Sequence, residues 1–144
     1  MDETTKAAVM SLAEELRISV ARLSRRLRAQ AGDDLSVTQF SALAVLERHG
    51  EMTPGELAGH ERVRPPSMTR TVAALEAAHL VARRPHPTDR RQVVLAVTEA
   101  GSTLLSEHRR RKEAWLAQRV AELTDEERAV LERAVPLLER LSRS

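Results

Sequence analysis

The chain has 144 residues and a net charge of +2, with 42% apolar and 31% charged residues. This size and balance indicate one folded domain with its own core and exclude a disordered chain. The lack of cysteine excludes disulfides, thiolate catalysis and cysteine redox sensing. No apolar run approaches the ~20 residues of a membrane span, and Met1-Asp2-Glu3 does not begin a signal peptide, so we expect no membrane contact and a cytoplasmic location.

Residues 4–30 have the spacing of a long amphipathic helix, with apolar side chains at three- and four-residue steps. Gly32-Asp33-Asp34 should end it. We interpret the cations near its end as compensation of the helix dipole, in preference to DNA contact. The apolar stripe holds Leu12, Leu16, Val20, Leu23 and Leu27, and the cations are Arg22, Arg25, Arg26 and Arg28.

A second helix begins at a capping box formed by Ser36 and Gln39, and Gly50 ends it. Met52 follows, and residues 51–52 read as a very short strand that completes a three-stranded sheet with the two strands described below. The buried face of the helix is predicted to hold Val37, Phe40, Leu43, Ala44 and Leu46.

Two short helices separated by a tight turn come next. Thr53 is suited to cap the first, with Pro54 at its first position, and Pro65 begins the second. At about 100° per residue, the apolar residues of the second helix form one stripe, which leaves small side chains and one arginine on the opposite face. Such a face fits a major groove, where Arg, Ser and Thr reach base edges or phosphates. The stripe is Met68, Val72 and Leu75, and the other face carries Pro66, Arg70, Ala73 and Ala74 with Ser67 and Thr69 beside it.

A basic hairpin follows. Strands at 81–84 and 93–97 enclose a loop in which Pro85 and Pro87 prevent ladder bonding near the tip. Residues 62–91 contain seven arginines and two acids, a charge of +5, so the remainder of the chain is acidic. A local basic excess is the footprint of a nucleic-acid site. We prefer this interpretation to a solvated hairpin without a partner.

Two helices close the chain. Thr98 is placed to cap one that runs to about Glu122, and Thr124 opens another at 125–142 that Pro136 should kink. The cations Arg109-Arg110-Arg111-Lys112 are interpreted as a solvated or intersubunit surface. The apolar side chains of these two helices include Leu104, Leu105, His108, Trp115, Leu116, Val120, Val130, Leu131, Ala134, Leu138 and Leu141.

The segment Thr53–Thr98 resembles the winged helix-turn-helix of the MarR family of bacterial transcription regulators, and the flanking helices extend the likeness to nearly the whole chain. The matching pieces, in order, are Thr-Pro-Gly-Glu-Leu-Ala at 53–58, Ser-Met-Thr-Arg at 67–70, Leu75-Glu76 before Leu80-Val81, Asp89-Arg90-Arg91, and the run from Leu95 to Gly101.

The resemblance implies a mainly α fold with a small β-wing and a single domain, 1–144. A winged helix-turn-helix at about 36–98 would be flanked by dimerisation helices at about 4–30 and 99–142. A monomer leaves the apolar stripes at both chain ends uncovered, which independently favours a homodimer. The interface residues would include Leu12, Leu116, Val120, Val130, Leu131, Leu138 and Leu141.

We therefore expect a ligand-responsive repressor that binds double-stranded DNA at a near-palindromic operator. Arg70, Ser67 and Thr69 would meet the major groove, while Arg64 and the amides near Pro65, Pro66 and Ser67 would position phosphates. Arg83 and Arg84 would add backbone contacts. Arg90 or Arg91 would enter the minor groove, where Asp89, two residues from Arg91 in an extended segment, would hold a neighbouring guanidinium. A bound effector would change the separation of the two recognition helices.

Three departures from the family pattern stand out. The family usually has glycine before the first wing strand, where this chain has His79, a residue that tolerates the left-handed conformation. The wing often begins with aspartate, where this chain has His86. Family effector pockets use several aromatics, but this chain offers Phe40 and Trp115, both interpreted as core, so the ligand is unknown.

Other functions have little support. The chain has no phosphate-binding glycine loop and no nucleophile elbow, so we expect no enzyme and no cofactor. His49, His60, His79, His86 and His108 show no ligand spacing, so no metal site is predicted. The alternative is a winged-helix module that binds proteins without DNA.

Overall fold

The computed structural model describes residues 1–32 and 34–144, which form six helices and one two-stranded antiparallel sheet. Of the predicted helix break at 32–34, Asp33 lies outside the described residues. No helix in the described part of the chain is long and apolar enough to cross a membrane. The elements are α1 (Glu3–Gln30), α2 (Val37–His49), α3 (Pro54–Glu61), α4 (Pro65–Ala77), β1 (Val81–Pro85), β2 (Val93–Val97), α5 (Glu99–Ala121) and α6 (Asp125–Arg143).

The chain divides into two compact units. One is Ala31–Arg110, which contains the helix-turn-helix and the hairpin. The other combines Met1–Gln30 with Arg111–Ser144. The predicted fold class is confirmed, because every predicted helix and both hairpin strands are present, and each start or end that was predicted lies within two residues of the observed one.

The helix starts of the first unit follow the predicted caps. The hydroxyl of Ser36 accepts the amide of Gln39 at 3.1 Å, and the Gln39 side chain returns the bond to the Ser36 amide at 3.1 Å. The hydroxyl of Thr53 accepts the amide of Glu56 at 3.2 Å, and Pro54 occupies the first turn. These bonds satisfy amides that a helix N-terminus otherwise leaves without a partner.

The buried face of α2 differs from the prediction at its first residue. Ala42, Leu43 and Leu46 are buried, whereas Val37 is 66% exposed. Val37 lies nine residues before Leu46, and at about 100° per residue that places the two side chains on opposite sides of the helix. The predicted burial of Val37 was wrong for this reason.

The core of this unit is aliphatic and lies between α2, α3, α4 and the sheet. Phe40 packs against it as a partly buried side chain and stacks on His108 with ring centroids 5.4 Å apart, so its predicted core role is confirmed. The fully buried large side chains include Leu43, Leu46, Leu57, Met68, Val72, Leu75, Leu95 and Leu105.

The hairpin pairs in one continuous register, from Val81 opposite Val97 to Pro85 opposite Val93. The predicted third strand is reduced to one bridge, in which Met52 exchanges two backbone hydrogen bonds with Leu95, at 3.2 and 2.7 Å. A single buried methionine therefore ties the α2–α3 connection to the base of the wing.

The start of α5 is fixed by a close approach. His79 adopts the left-handed conformation at φ 59°, as predicted, and its carbonyl accepts the Thr98 hydroxyl at 2.7 Å. The Thr98 hydroxyl oxygen in turn accepts the amide of Gly101 at 3.1 Å. A Cβ at Gly101 would collide with the carbonyl oxygen of Leu80 and lie 2.9 Å from Val97 Cγ1, so the position requires glycine.

The second unit contains α1, α6 and the end of α5. Trp115 is partly buried with the guanidinium carbons of Arg26 and Arg119 over its ring at 5.1 and 5.4 Å. Helix α6 continues through Pro136 and begins with the predicted capping box, in which the Thr124 amide donates to Glu127 and holds the pKa of that carboxyl below its usual value.

The predicted interface residues are largely uncovered in this unit. Leu116 and Val120 are partly buried, while the others lie between 42% and 64% exposed. The exposed set is Leu12, Val130, Leu131, Leu138 and Leu141. That a second copy covers them stays a prediction.

Candidate nucleic-acid interface

The outer face of α4 is open and its inner face is not. Met68, Val72 and Leu75 are buried, as predicted, which turns Arg70 outward. Among the described residues, no side chain pairs with the Arg70 guanidinium, so all of its donors are free for another molecule.

The polar residues beside Arg70 have fewer hydrogen-bonding groups to offer to another molecule. The Thr69 hydroxyl donates to the Pro65 carbonyl at 3.0 Å, which leaves its oxygen to accept but not to donate. Ser67 is exposed, and its carbonyl accepts the Thr71 hydroxyl at 3.1 Å. Ser67, Thr69 and Arg70 are thus brought onto one exposed surface, as the sequence predicted.

The predicted phosphate site at the start of α4 needs a correction. Pro65 and Pro66 have no amide hydrogen, and the Ser67 amide already donates to the Arg64 carbonyl at 3.1 Å. No amide among these three is free to bind phosphate. The exposed Arg64 side chain and the Ser67 hydroxyl remain the groups able to do so.

The arginines at the root of the wing are already paired. Arg83 Nε lies 2.8 Å from Glu76 Oε1 on α4, and Arg84 Nη1 lies 3.9 Å from Glu51 Oε2. The Arg83 bond joins the wing directly to the recognition helix. This pair engages Arg83 Nε, so contact with DNA in the predicted manner would use the terminal NH2 groups of the same side chain.

The tip of the wing is a closed turn and not the extended segment that the sequence suggested. The Gln92 amide donates to the Asp89 carbonyl at 3.1 Å, and Asp89 Oδ1 accepts the backbone amide of Arg91 at 3.0 Å. The prediction that this carboxylate holds a guanidinium was wrong, because the turn places the Arg91 backbone, and not its side chain, against Asp89.

His86 closes the same turn from the other side. Its Nδ1 accepts the backbone amides of Thr88 at 3.2 Å and Asp89 at 3.0 Å. Arg90 and Arg91 remain exposed, with no side-chain partner among the described residues. Which of the two enters a groove stays open.

Sequence reasoning missed two residues here, Glu76 and His86. Glu76 could not be found, because its partner is seven positions away on another element. For His86 a signal was present: it occupies the position where a wing often has aspartate, and a neutral imidazole nitrogen accepts hydrogen bonds as a carboxylate oxygen does.

Two predictions outside the wing concerned the cations that begin at Arg109 and the core role of Trp115. Arg109, the first of four consecutive cations, pairs with Glu47 of its own chain at 2.7 Å. Trp115 is not a simple core residue, because it lies partly exposed beneath two guanidinium groups.

A helix-turn-helix with an exposed arginine on its second helix, followed by an arginine-tipped hairpin, defines a winged-helix DNA-binding protein. Comparisons with known proteins agree. The model of the MarR family matches residues 35–93. The chain is 48% identical over 128 residues to an uncharacterized HTH-type transcriptional regulator of Mycobacterium bovis, covering 88% of this chain and 90% of the relative.

Two further likenesses extend this result. The HTH-type transcriptional repressor NicR of Pseudomonas putida is 32% identical over 106 residues, which cover 73% of this chain and 67% of NicR. A crystal structure of a candidate transcriptional regulator from Pseudomonas aeruginosa has a TM-score of 0.85 and 34% identity, covering 94% of this chain and 96% of that one. The chain belongs to the MarR family of HTH-type transcriptional regulators, which bind DNA and are not enzymes.

Proposed function

We propose that this protein is a homodimeric repressor that binds a near-palindromic operator and is released by a small-molecule effector. The main observation is the outer face of α4, where the guanidinium of Arg70, which pairs with no side chain in the described part of the molecule, lies among small exposed side chains. Arginine with two free parallel donors is the side chain best suited to guanine O6 and N7 in the major groove.

The roles of the other residues follow from their partners. Arg64 and the Ser67 hydroxyl position phosphates, and Arg90 or Arg91 reaches the minor groove from the tip of the wing. Arg83 braces the wing against Glu76 through Nε, at 2.8 Å, and contributes to DNA contact through its terminal NH2 groups. Asp89 belongs to the site because it shapes the tip.

The dimer is proposed from the uncovered apolar side chains of α1 and α6, of which Leu12 and Leu141 are 64% and 62% exposed. A two-fold dimer presents two recognition helices to half-sites about one helical turn apart. The sign of regulation is proposed from NicR, a repressor by name. The whole chain, 1–144, is proposed to act as one MarR-type domain at the chromosome in the cytoplasm.

Selection of duplexes from a random pool with the purified protein tests this function. We expect an enriched inverted repeat with half-site centres about 10 base pairs apart. A promoter carrying that repeat should be repressed by the protein in a reporter strain. Arg90→Ala and Arg91→Ala, compared on the selected site, identify the arginine that enters the minor groove, since only that variant should lose preference for A·T pairs there.

The protein-binding alternative makes the opposite prediction. A module without DNA function would not retain any duplex over background at low salt, where phosphate contacts are strongest. Enrichment of single half-sites without a repeat would contradict the dimer but not the DNA contact. Activation of the reporter would contradict only the sign of regulation.

A further inference from the structure

At the tip of the wing, backbone amides that the hairpin ladder does not pair donate their hydrogen bonds to one imidazole, that of His86. Pro85 and Pro87 have no amide hydrogen, and the hairpin ladder ends at the pair Pro85–Val93. Beyond it, the His86 amide donates to the Gln92 carbonyl at 3.3 Å. The amides of Thr88 and Asp89 both donate to His86 Nδ1, at 3.2 and 3.0 Å.

This geometry fixes the protonation state of the ring. Both amides are donors that cannot accept, so while these two bonds are in place Nδ1 presents its lone pair and the ring is neutral with its hydrogen on Nε2. The Thr88 hydroxyl lies 3.4 Å from the same nitrogen and can donate to it as a third, longer contact. A protonated Nδ1 has no lone pair and cannot accept either amide, although it can turn its hydrogen toward the Thr88 hydroxyl oxygen, 3.4 Å away. The Nδ1–H would otherwise face two other N–H groups, and both bonds to the amides would be lost together.

Few other groups around the ring carry charge. The turn itself contributes Asp89, Arg90 and Arg91, and β1 contributes Arg84 two residues earlier. Across the hairpin, Gln92 and the first residue of β2, Val93, carry no charge. Among the described hydrogen bonds and ion pairs, no carboxylate contacts the imidazole, and Asp89 Oδ1 is engaged by the Arg91 amide.

We propose that His86 is the positioning residue of the wing tip. Its neutral imidazole holds the turn from Thr88 to Arg91, and that turn orients the arginines that reach DNA. Protonation of Nδ1 removes the lone pair that accepts both amides and so releases the turn, and operator affinity falls when the ring gains its charge. This inference rests on the proposed DNA-binding role of the wing.

The direction in which operator affinity changes on protonation shows whether His86 acts by positioning the turn or only through its charge. An added positive charge beside a polyanion should strengthen binding, because each cationic contact releases counterions. Loss of the turn should weaken it. A fall in affinity toward acid pH is therefore the outcome that a histidine acting only through its charge does not produce.

Matched variants isolate the imidazole. In His86→Asn the amide oxygen takes the place of Nδ1 and accepts the same bonds without titrating. We expect wild-type affinity at pH 7.5 and no change at pH 5.5. His86→Ala removes both bonds and should bind about three- to tenfold more weakly than wild type at pH 7.5, with no further loss of its own at pH 5.5, as two hydrogen bonds near the surface suggest. The control His79→Asn alters a second histidine, one that tolerates asparagine at φ 59°, and should keep the wild-type pH response.

Two measurements decide the question. The first is fluorescence anisotropy of the selected duplex with each variant at pH 7.5 and 5.5. The second is nitrogen-15 NMR of the free protein, which reports the His86 tautomer and the exchange protection of the Thr88 and Asp89 amides. Nε2–H at neutral pH, with protection lost on protonation in wild type but not in His86→Asn, supports the inference.

Several results would overturn it. These are Nδ1–H at neutral pH, tighter wild-type binding in acid, or a pH response in His86→Asn equal to that of wild type. Failure of every variant to bind any duplex would refute the proposed function. The NMR results on the free protein would still decide whether His86 holds the turn.

Discussion

Asp89 offers the sharpest test of how the wing works, because its charge and its hydrogen bond can be removed separately. Oδ1 accepts the backbone amide of Arg91 at 3.0 Å. Asp89→Asn keeps an oxygen at that position and removes the charge, while Asp89→Ala removes both. If the carboxylate organises the tip, the two variants should differ, although each removes the same negative charge from the DNA-facing surface.

The expected difference in operator affinity between the two variants follows from the loss of one hydrogen bond. A bond of this kind contributes about 1 kcal/mol, which corresponds to roughly a fivefold change in an equilibrium constant. Asp89→Ala should therefore bind the operator about fivefold more weakly than Asp89→Asn. Asp89→Asn should bind as tightly as wild type or more tightly, since it loses a charge that repels phosphate.

A salt titration by fluorescence anisotropy measures this difference. Both variants have the same charge, so their affinities should fall in parallel as salt rises and their ratio should stay constant. Equal binding by the two variants, each tighter than wild type, would mean that Asp89 acts only as a repulsive charge, and the proposed role of its hydrogen bond would be wrong.

Three further predictions concern the rest of the molecule. Arg70→Ala should lose roughly 1–3 kcal/mol of discrimination for the operator and much less on random duplex, measured by competition; equal losses would mean that Arg70 touches only phosphate. Leu131→Asp combined with Leu138→Asp should give monomers or unfolded chains in sedimentation, and a folded wild-type monomer at micromolar concentration would refute the dimer. Gly101→Ala should lower the free energy of unfolding by about 1–3 kcal/mol through overpacking. Its control, Gly59→Ala, meets no atom within 4 Å and should raise it slightly; the same sign for both would contradict the packing argument.

Local signals account for what the sequence predicted well. Caps such as Ser36 with Gln39 and Thr124 with Glu127 join residues three positions apart, so residue type and spacing suffice to identify them. The helical stripe that buries Met68 and Leu75 depends only on periodicity. The left-handed backbone conformation of His79 could also be predicted, because the turn before a wing strand requires that conformation and few residue types tolerate it.

Contacts between elements were beyond the same reasoning. Pairing of Arg83 with Glu76 depends on where the wing meets α4, which no pattern within either segment contains. The reduction of the third strand to a bridge at Met52 has the same origin. At the tip, two-residue alternation was assumed to continue to Arg91, but the strand register ends at Pro85, so the following residues close into a turn.

The partners of the wing arginines explain why the tip, and not the root, should respond to DNA. Glu76 lies 2.8 Å from Arg83 and Glu51 lies 3.9 Å from Arg84, so each root guanidinium has a carboxylate beside it that offsets part of its attraction for phosphate. At the tip the acceptors bind backbone amides instead: His86 Nδ1 takes those of Thr88 and Asp89, and Asp89 Oδ1 takes that of Arg91. The tip is thus ordered without neutralising the guanidinium groups of Arg90 and Arg91, which therefore retain their full charge for DNA. Because counterion release scales with the cations that actually reach phosphate, Arg90 and Arg91 should contribute more to the salt dependence of binding than Arg83 and Arg84, at about 0.9 in slope for each contact.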